Sequence, residues 1–266
     1  MTLKLTILGC GSSAGVPRIG GDWGKCDPSN PKNRRLRCSV LVEQSNAVGT
    51  TRLLVDTSPD LREQMLAAQV SAIDAVWYTH EHADHTHGID ELRAFFLIQR
   101  KRVAVHADGA TSAMLRNRFA YCFANNEGYP AMAELGPMVA GETLKVRGAG
   151  PDIVGLPFEV QHGNINALGF RFGTLAYLPD VNGLPPAAKA AISGLDVLVI
   201  DALRYAKHQS HYSLAETLEV IAEVKPKRAI ITNMHIDLDY DTLRRELPDG
   251  VEPAFDGMTI ELKTDA

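Results

Sequence analysis

THEHADHTHGID, residues 79–90, places four of the chain's nine histidines within the eight positions from His80 to His87, beside Glu81, Asp84 and Asp90. The stretch follows DAVWY (74–78), a short apolar run that predicts a buried strand. A strand that ends in a loop can turn several side chains toward one place. His80 and His82 are two residues apart and share a face if the backbone stays extended. Asp84 and His85 lie past the bend and face a second point. Imidazole and carboxylate suit zinc, manganese or iron, whereas calcium and magnesium prefer oxygen ligands alone. Four such side chains within six residues exceed the needs of one ion that keeps an open position, so the spacing predicts two adjacent ions. A lone histidine here would read as a solvated loop residue, but the pattern His80-x-His82-x-Asp84-His85 does not. His87 falls outside that spacing and has no assigned role.

Two ions need more ligands, and the second half of the chain offers them. His162 follows FEVQ (158–161), Asp180 follows TLAYLP (174–179), and His235 comes just after AIITN (229–233). Each stands past an apolar strand, a common place for functional residues on a layered scaffold. Singly, each reads equally as a surface loop residue. With the first motif they complete two shells: His80, His82 and His162 for one ion, Asp84, His85 and His235 for the other, and Asp180 as the bridge.

The 266 residues are enough for one large domain with a substantial core. The net charge of −5 and pI near 6.0 do not favour broad nucleic-acid binding, which needs many cationic contacts. A small phosphorylated substrate such as a nucleotide remains compatible, and a long nucleic acid is not expected. No apolar run reaches the roughly 18 residues of a membrane span, so no membrane partner is expected. The N-terminus, MTLKLTILGCG (1–11), reads as a strand running into a glycine turn, not as a secretory signal, and the expected location is cytoplasmic. Cys10, Cys26, Cys38 and Cys122 form no CxxC pair and read as free thiols of a reducing compartment. The sequence leaves a homo-oligomer open.

Strand patterns recur at LKLTILG (3–9), CSVLVE (38–43), RLLVD (52–56), RVAVHA (102–107), FEVQHG, GFRFG, TLAYLPD, LDVLVID (195–201), KRAIITN (227–233) and GMTIELK (257–263). Helical patterns fall from about Pro59, over 88–100, over SLAETLEVIAEV (213–224), opened by a Ser213–Glu216 capping box, and over LDYDTLRRE. Residues 108–150 read as a partly helical excursion that could form a substrate pocket. Its Phe119, Tyr121, Phe123 and Tyr129 could present an aromatic wall or belong to the core. The pattern predicts two packed sheets with helices outside, in one α/β domain over 1–266.

The ligand pattern resembles the metallo-β-lactamase fold. His80-x-His82-x-Asp84-His85, then His162, Asp180 and His235, with Asp56 ending RLLVD, follow that superfamily's motif order. LGCGSSAGVP (8–17), NRRLRCS (33–39), TLAYLPD (174–180), HYSL (211–214) and FDGM (255–258) are similar to the PhnP-type cyclic phosphodiesterases, relatives of tRNase Z. The resemblance implies an αββα sandwich and two divalent ions, zinc or manganese. It further implies hydrolysis of small nucleotide or ribose phosphodiesters, cyclic ones included, by a hydroxide held between the ions. His211 matches the family's proton-donating histidine, and Asp84 joins it in the expected catalytic set. Asp56 is expected to orient a metal-bound histidine. Ser12, Ser13 and Arg35 are weaker candidates for phosphate contact, with Arg34 and Arg37 near them. His106 and His208 have no assigned role. Two departures stand out. The loop after the first strand holds only Cys26, so the cysteine-rich zinc site of some relatives is not expected. TNMHID (232–237) lacks the histidine that relatives carry closer to the strand. No counterpart of the tRNA-gripping arm of tRNase Z is visible. Lactone or thioester hydrolysis uses the same ligands and stays open, as, more remotely, do a metal-containing oxidoreductase and a binding module.

Overall fold

The structure is a computed structural model that describes residues 1–263. It contains two mixed sheets with helices, as the pattern of strands and helices led one to expect. The residues gather in two compact units. The first comprises Met1–Leu8, Ser39–Val154 and the chain from Gly257, and the second comprises Gly9–Cys38 and Gly155–Asp256.

The first unit is built on β1 (Thr2–Gly9), β2 (Ser39–Ser45), β3 (Thr50–Val55), β4 (Ala75–Trp77), β5 (Val103–Ala107) and β6 (Ala133–Pro137). After β7 (Leu144–Val146) the chain passes to the second unit and returns with β14 (Thr259–Lys263). The sheet order is β14-β1-β2-β3-β4-β5-β6. Strands β3 to β6 run parallel, so the loops after β3 and β4 emerge on one edge. The core beneath them joins Leu41, Leu54, Val76 and Val105 with Leu61 of α1 (Leu61–Ala67). The short helical turn α2 (Ala83–Thr86) is followed by α3 (Leu92–Gln99), which contributes Leu92 and Phe95 to that core.

The excursion at 108–150 is partly helical, with α4 (Gly109–Arg118) and α5 (Ala120–Phe123), but it also supplies β6, the edge strand of the sheet. Phe119 and Phe123 pack against the core, whereas Tyr121 and Tyr129 are exposed. The expected four-ring wall is therefore divided between two environments.

The second unit carries β8 (Ile153–His162), β9 (Ile165–Phe172), β10 (Leu175–Leu178), β11 (Val197–Asp201), β12 (Arg228–Thr232) and β13 (Val251–Pro253). Strands β10, β11, β12 and β13 are mutually parallel. Strand β9 is antiparallel to both β8 and β10, so β8 points the same way as the parallel set. The carboxyl ends of β8, β10, β11 and β12 thus share one edge, where sites on open parallel sheets commonly lie. Every residue of β11, VLVID, is buried, as expected of a strand covered on both faces. Among the helices, α6 (Pro186–Ala191) was not expected, while α7 (Leu214–Val224) opens with the expected box: Ser213 N–H donates to Glu216 Oε2 at 2.9 Å. Asp239 caps α8 (Tyr240–Glu246) by accepting from Thr242 N–H at 2.9 Å.

Candidate functional site

In the first unit the decisive stretch follows β4. Asp56, the residue after β3, has φ of 64°, a left-handed conformation that aspartate tolerates better than most residues. Its buried carboxylate gathers the start of the loop. Oδ1 accepts from Thr79 N–H at 2.8 Å, and Oδ2 accepts from Thr79 Oγ1 at 2.8 Å and from His85 Nδ1 at 2.7 Å. The last bond fixes the His85 tautomer and presents Nε2, which lies 3.6 Å from Asp84 Oδ2. His80 Nδ1 is 2.9 Å from Thr79 Oγ1, so one hydroxyl and one carboxylate orient two imidazoles. The His80 ring lies 4.6 Å from that of His82 and 4.3 Å from that of His85. His80 and His85 are buried, and His82 is exposed at the extended residue before α2. Burial pushes the Asp56 carboxyl above the ordinary carboxylate range, against the pull of His85 and the Thr79 donors. His87 lies outside the cluster, its ring 5.3 Å from Phe119 in an edge-on contact.

In the second unit, His162 ends β8, Asp180 follows β10, and His211 stands in the loop before α7. One ligand atom from each lies within 4.8 Å of the others, an arrangement able to hold a metal ion. His162 Nδ1 donates to the Ser210 carbonyl at 2.7 Å, so its Nε2 faces Asp180 Oδ2 at 3.6 Å. His211 Nδ1 donates to Asp201 Oδ2 at 2.7 Å and lies 3.8 Å from Asp180 Oδ2. Asp201, at the end of β11, is fully buried. Burial raises its carboxyl to about 7, His211 opposes the rise and Asp180 adds to it. The 0%-exposed Asp201 also accepts from Val181 N–H at 3.1 Å and from the Asn233 amide at 3.3 Å. Asp201 was not anticipated, although an acid closing the apolar run LDVLVID was a readable signal. The His208 ring lies 5.2 Å from that of His211, tilted 45° to it; burial depresses its pKa, and His211, Arg204 and His235 add to the effect.

The last expected ligand has other partners in this structure. His235 stands outside the His162–Asp180–His211 group, and both of its ring nitrogens are engaged: Nδ1 with Asp237 Oδ1 at 2.9 Å, and Nε2 with the Arg18 guanidinium. The cause is the backbone at Asn233, whose φ of 59° turns the chain after β12. The Asn233 amide is sent to Asp201 and to within 3.1 Å of His211 Nδ1, Met234 goes into the core, and His235 projects toward Arg18. His211, expected as the proton donor or leaving-group stabiliser, lies in a group able to hold a metal ion.

Arg35, a weaker candidate for phosphate contact, is held by the protein. It is 1% exposed, and its guanidinium serves the protein, donating to Leu238 O at 2.7 Å, Asn33 Oδ1 at 3.2 Å and His235 O at 3.3 Å. It braces the 235–238 loop and is not open to a phosphate. Ser12 is buried in the turn, with its carbonyl taken by Gly15 N–H at 2.7 Å, while Ser13 is exposed. Arg34 lies over the Trp23 ring at 5.5 Å. Among the described residues, no helix is long and apolar enough to cross a membrane.

Histidine and aspartate set out at the carboxyl ends of parallel strands, with His80, His85, His162 and His211 each turned by a carboxylate, hydroxyl or carbonyl on Nδ1, are the marks of the metallo-β-lactamase class of metal-dependent hydrolases. The chain belongs to the beta-lactamase superfamily domain family, which it matches over residues 51–236. It is 37% identical to a diphosphatase of the PhnP family, over 98% of both chains, with a TM-score of 0.88. It is 29% identical, over 96% of its length, to a protein of Porphyromonas gingivalis (strain ATCC BAA-308 / W83) named octanoyltransferase. A ribonuclease Z of Bradyrhizobium sp. (strain ORS 278) is 28% identical over 54% of the chain. The chain spans about half the length of these two curated relatives, 51% and 46%. The superfamily fold implies divalent metal ions, and the donor set fits them: borderline nitrogen and oxygen ligands, buried and already oriented.

Proposed function

We propose that this chain is a metal-dependent phosphoesterase that hydrolyses small phosphodiesters, cyclic nucleotide or ribose phosphates among them. The observation that carries the reading is the convergence of His162, Asp180 and His211, with Asp201 fixing His211, on the edge where the parallel strands end. The likeness to a PhnP-family diphosphatase along the whole chain supports phosphorus–oxygen cleavage. In this reading His80, His82, His162, Asp84 and His85 hold two divalent ions, zinc or manganese, and Asp180 serves both. Bound ions of this kind supply Lewis acidity and a nucleophile drawn from water near neutral pH.

The chain's own residues do the rest. Asp56 and Thr79 hold His85 and His80 in one tautomer. Asp201 holds Nδ1–H of His211 and stabilises positive charge on that ring, which suits His211 to carry a proton on Nε2 for the leaving alkoxide. Acyl transfer, suggested by the name of one relative, finds no support in the thiols, because all four cysteines are buried. The excess of acidic over basic side chains weighs against long polyanions. The test is a panel of bis-nitrophenyl phosphate, a 2′,3′-cyclic nucleotide, a lactone, a thioester and a 3′-extended tRNA, with added manganese or zinc. The reading expects the two small phosphodiesters to be turned over best. Efficient tRNA cleavage with little cyclic-nucleotide turnover, or lactone or thioester turnover alone, would overturn it.

A further inference from the structure

Against the turn that carries Asp84 and His85 lie two fully buried hydroxyls, those of Thr57 and Tyr78. Thr57 is the second residue past β3, and Tyr78 directly follows β4. Their oxygens are 2.6 Å apart, and Thr57 Oγ1 is 3.1 Å from the Thr86 carbonyl. The direction of this chain of bonds is fixed. A carbonyl only accepts, so Thr57 gives its one hydroxyl proton to Thr86 O, and the Tyr78 O–H donates to Thr57 Oγ1. The Thr86 hydroxyl in turn donates to His82 O at 2.9 Å. Three side chains thereby link the core to His82, the residue that opens α2.

The Thr57 backbone works on the same turn. Thr57 N–H donates to His85 O at 2.8 Å, and Thr57 O accepts from Gly88 N–H at 2.9 Å. Gly88 passes so close to Ser58 that an added Cβ would collide with the Ser58 carbonyl. Helix α2 is a single turn of four residues. A turn this short does not hold its own shape, and the carbonyls at a helix end find no partner within the helix. Thr57 supplies those partners, its N–H to His85 O and its hydroxyl to Thr86 O. Asp56 holds the His85 ring and Thr57 the His85 backbone, so two adjacent residues after β3 fix one histidine at both ends. Packing does not call for the Tyr78 hydroxyl. The ring lies in the core with Leu61 and Val105, where phenylalanine would fill the same place without burying a polar group.

We propose that Tyr78 and Thr57 are positioning residues that shape α2 in advance for a divalent ion, and so set how tightly Asp84 and His85 hold it. The proposal rests on the reading of Asp84 and His85 as ligands and deepens it. Donors carried on a braced turn give up little freedom when an ion binds, whereas donors on a loose turn must first be ordered. Both residues act through the backbone of 82–86.

The test is chelator competition against the manganese-loaded full chain, with urea denaturation as the measure of stability. Thr57→Val keeps the shape but strands the Thr86 carbonyl and the Tyr78 hydroxyl, and it is expected to lower metal affinity about tenfold. Tyr78→Phe removes only the far end of the chain of bonds and is expected to lower affinity by a smaller factor. Thr57→Ser keeps the hydroxyl and is expected to hold metal as the wild type does. Val105→Ala opens the same core without touching either hydroxyl, so it is expected to lower stability and leave metal affinity within about twofold. Wild-type affinity in both Thr57→Val and Tyr78→Phe would overturn the brace, and so would an equal loss of affinity in Val105→Ala. Tyr78→Phe, the milder change, decides the matter if Thr57→Val does not fold. Metal affinity unchanged in His85→Ala would overturn the underlying ligand reading instead.

Discussion

Asp56→Asn is the sharpest perturbation the first unit offers, because the change keeps shape and removes one acceptor. The carboxylate accepts three bonds of 2.7–2.8 Å, from His85 Nδ1, Thr79 Oγ1 and Thr79 N–H. An asparagine supplies one oxygen and one NH2. With its oxygen toward His85, the NH2 meets the Thr79 N–H, donor against donor. With its oxygen toward Thr79 N–H, His85 Nδ1–H loses its acceptor, and the ring recovers only by moving its proton to Nε2, the atom that would coordinate. Either way one buried donor is stranded, at about 1–3 kcal/mol. The histidine's orienting partner is lost with it, which typically lowers metal affinity 10- to 100-fold. Two measurements check this. Urea denaturation of the metal-free protein should show the stability loss, and titration with manganese or zinc against a chelating indicator should show the affinity loss. Metal affinity within twofold of wild type would refute the claim that Asp56 orients His85 for coordination.

His211→Ala is expected to lower turnover; a smaller loss on nitrophenyl than on alkyl leaving groups would identify a proton donor, and metal loss by elemental analysis would identify a ligand. Asp180→Asn should cost more activity than a change at His82, since the proposal gives Asp180 two ions to serve, and a fully active variant would remove the bridge. Asp256 accepts from Leu36 N–H at 2.7 Å and Cys10 N–H at 3.0 Å, and burial raises its carboxyl to about 7. A raised carboxyl favours the fold fully below the ordinary carboxylate pKa and loses that contribution as pH rises through about 7. The stability advantage of wild type over Asp256→Asn should therefore shrink by up to about 4 kcal/mol between pH 4 and pH 8, less for its partial exposure; a difference flat with pH would count against the shift.

What the sequence revealed and what it hid divide along the line between local and distant causes. The Ser213–Glu216 box and the apolar run of β11 carry their own signals, and both elements stand where those signals place them. DAVWYTH, by contrast, keeps only Ala75–Trp77 as strand, because Asp56 takes Thr79 and His85 out of the ladder's continuation. Strand β6, AELGP, holds a glycine and a proline and carries no strand signal; its register against Val103–Ala107 makes it a strand, and proline is tolerated at such an edge. The kinds of residue at the site were legible from their places after apolar runs. The surroundings of His235 were not, since they depend on one left-handed asparagine and on a partner, Arg18, 217 residues away in sequence.

Each unit uses the same device. Asp56 after β3 and Asp201 at the end of β11 are both 0% exposed, and each takes the Nδ1–H of a histidine at 2.7 Å. A buried carboxylate is costly unless it is paired and hydrogen-bonded, so neither aspartate serves the fold as well as an apolar residue of its size would. Their value lies in what they do to the imidazoles, and that gives the proposed shared centre a test of its own. If Asp56 and Asp201 tune ligands of one two-metal centre, the metal-binding losses of Asp56→Asn and Asp201→Asn should fail to add, because weakening either ligand set releases an ion on which the other set also depends. Their effects on the stability of the metal-free protein should add to within about 0.5 kcal/mol, as for sites with no common partner. A double-mutant cycle measured by metal titration and by urea denaturation separates the two quantities. Additive losses in both would mean two independent sites and would refute the shared centre.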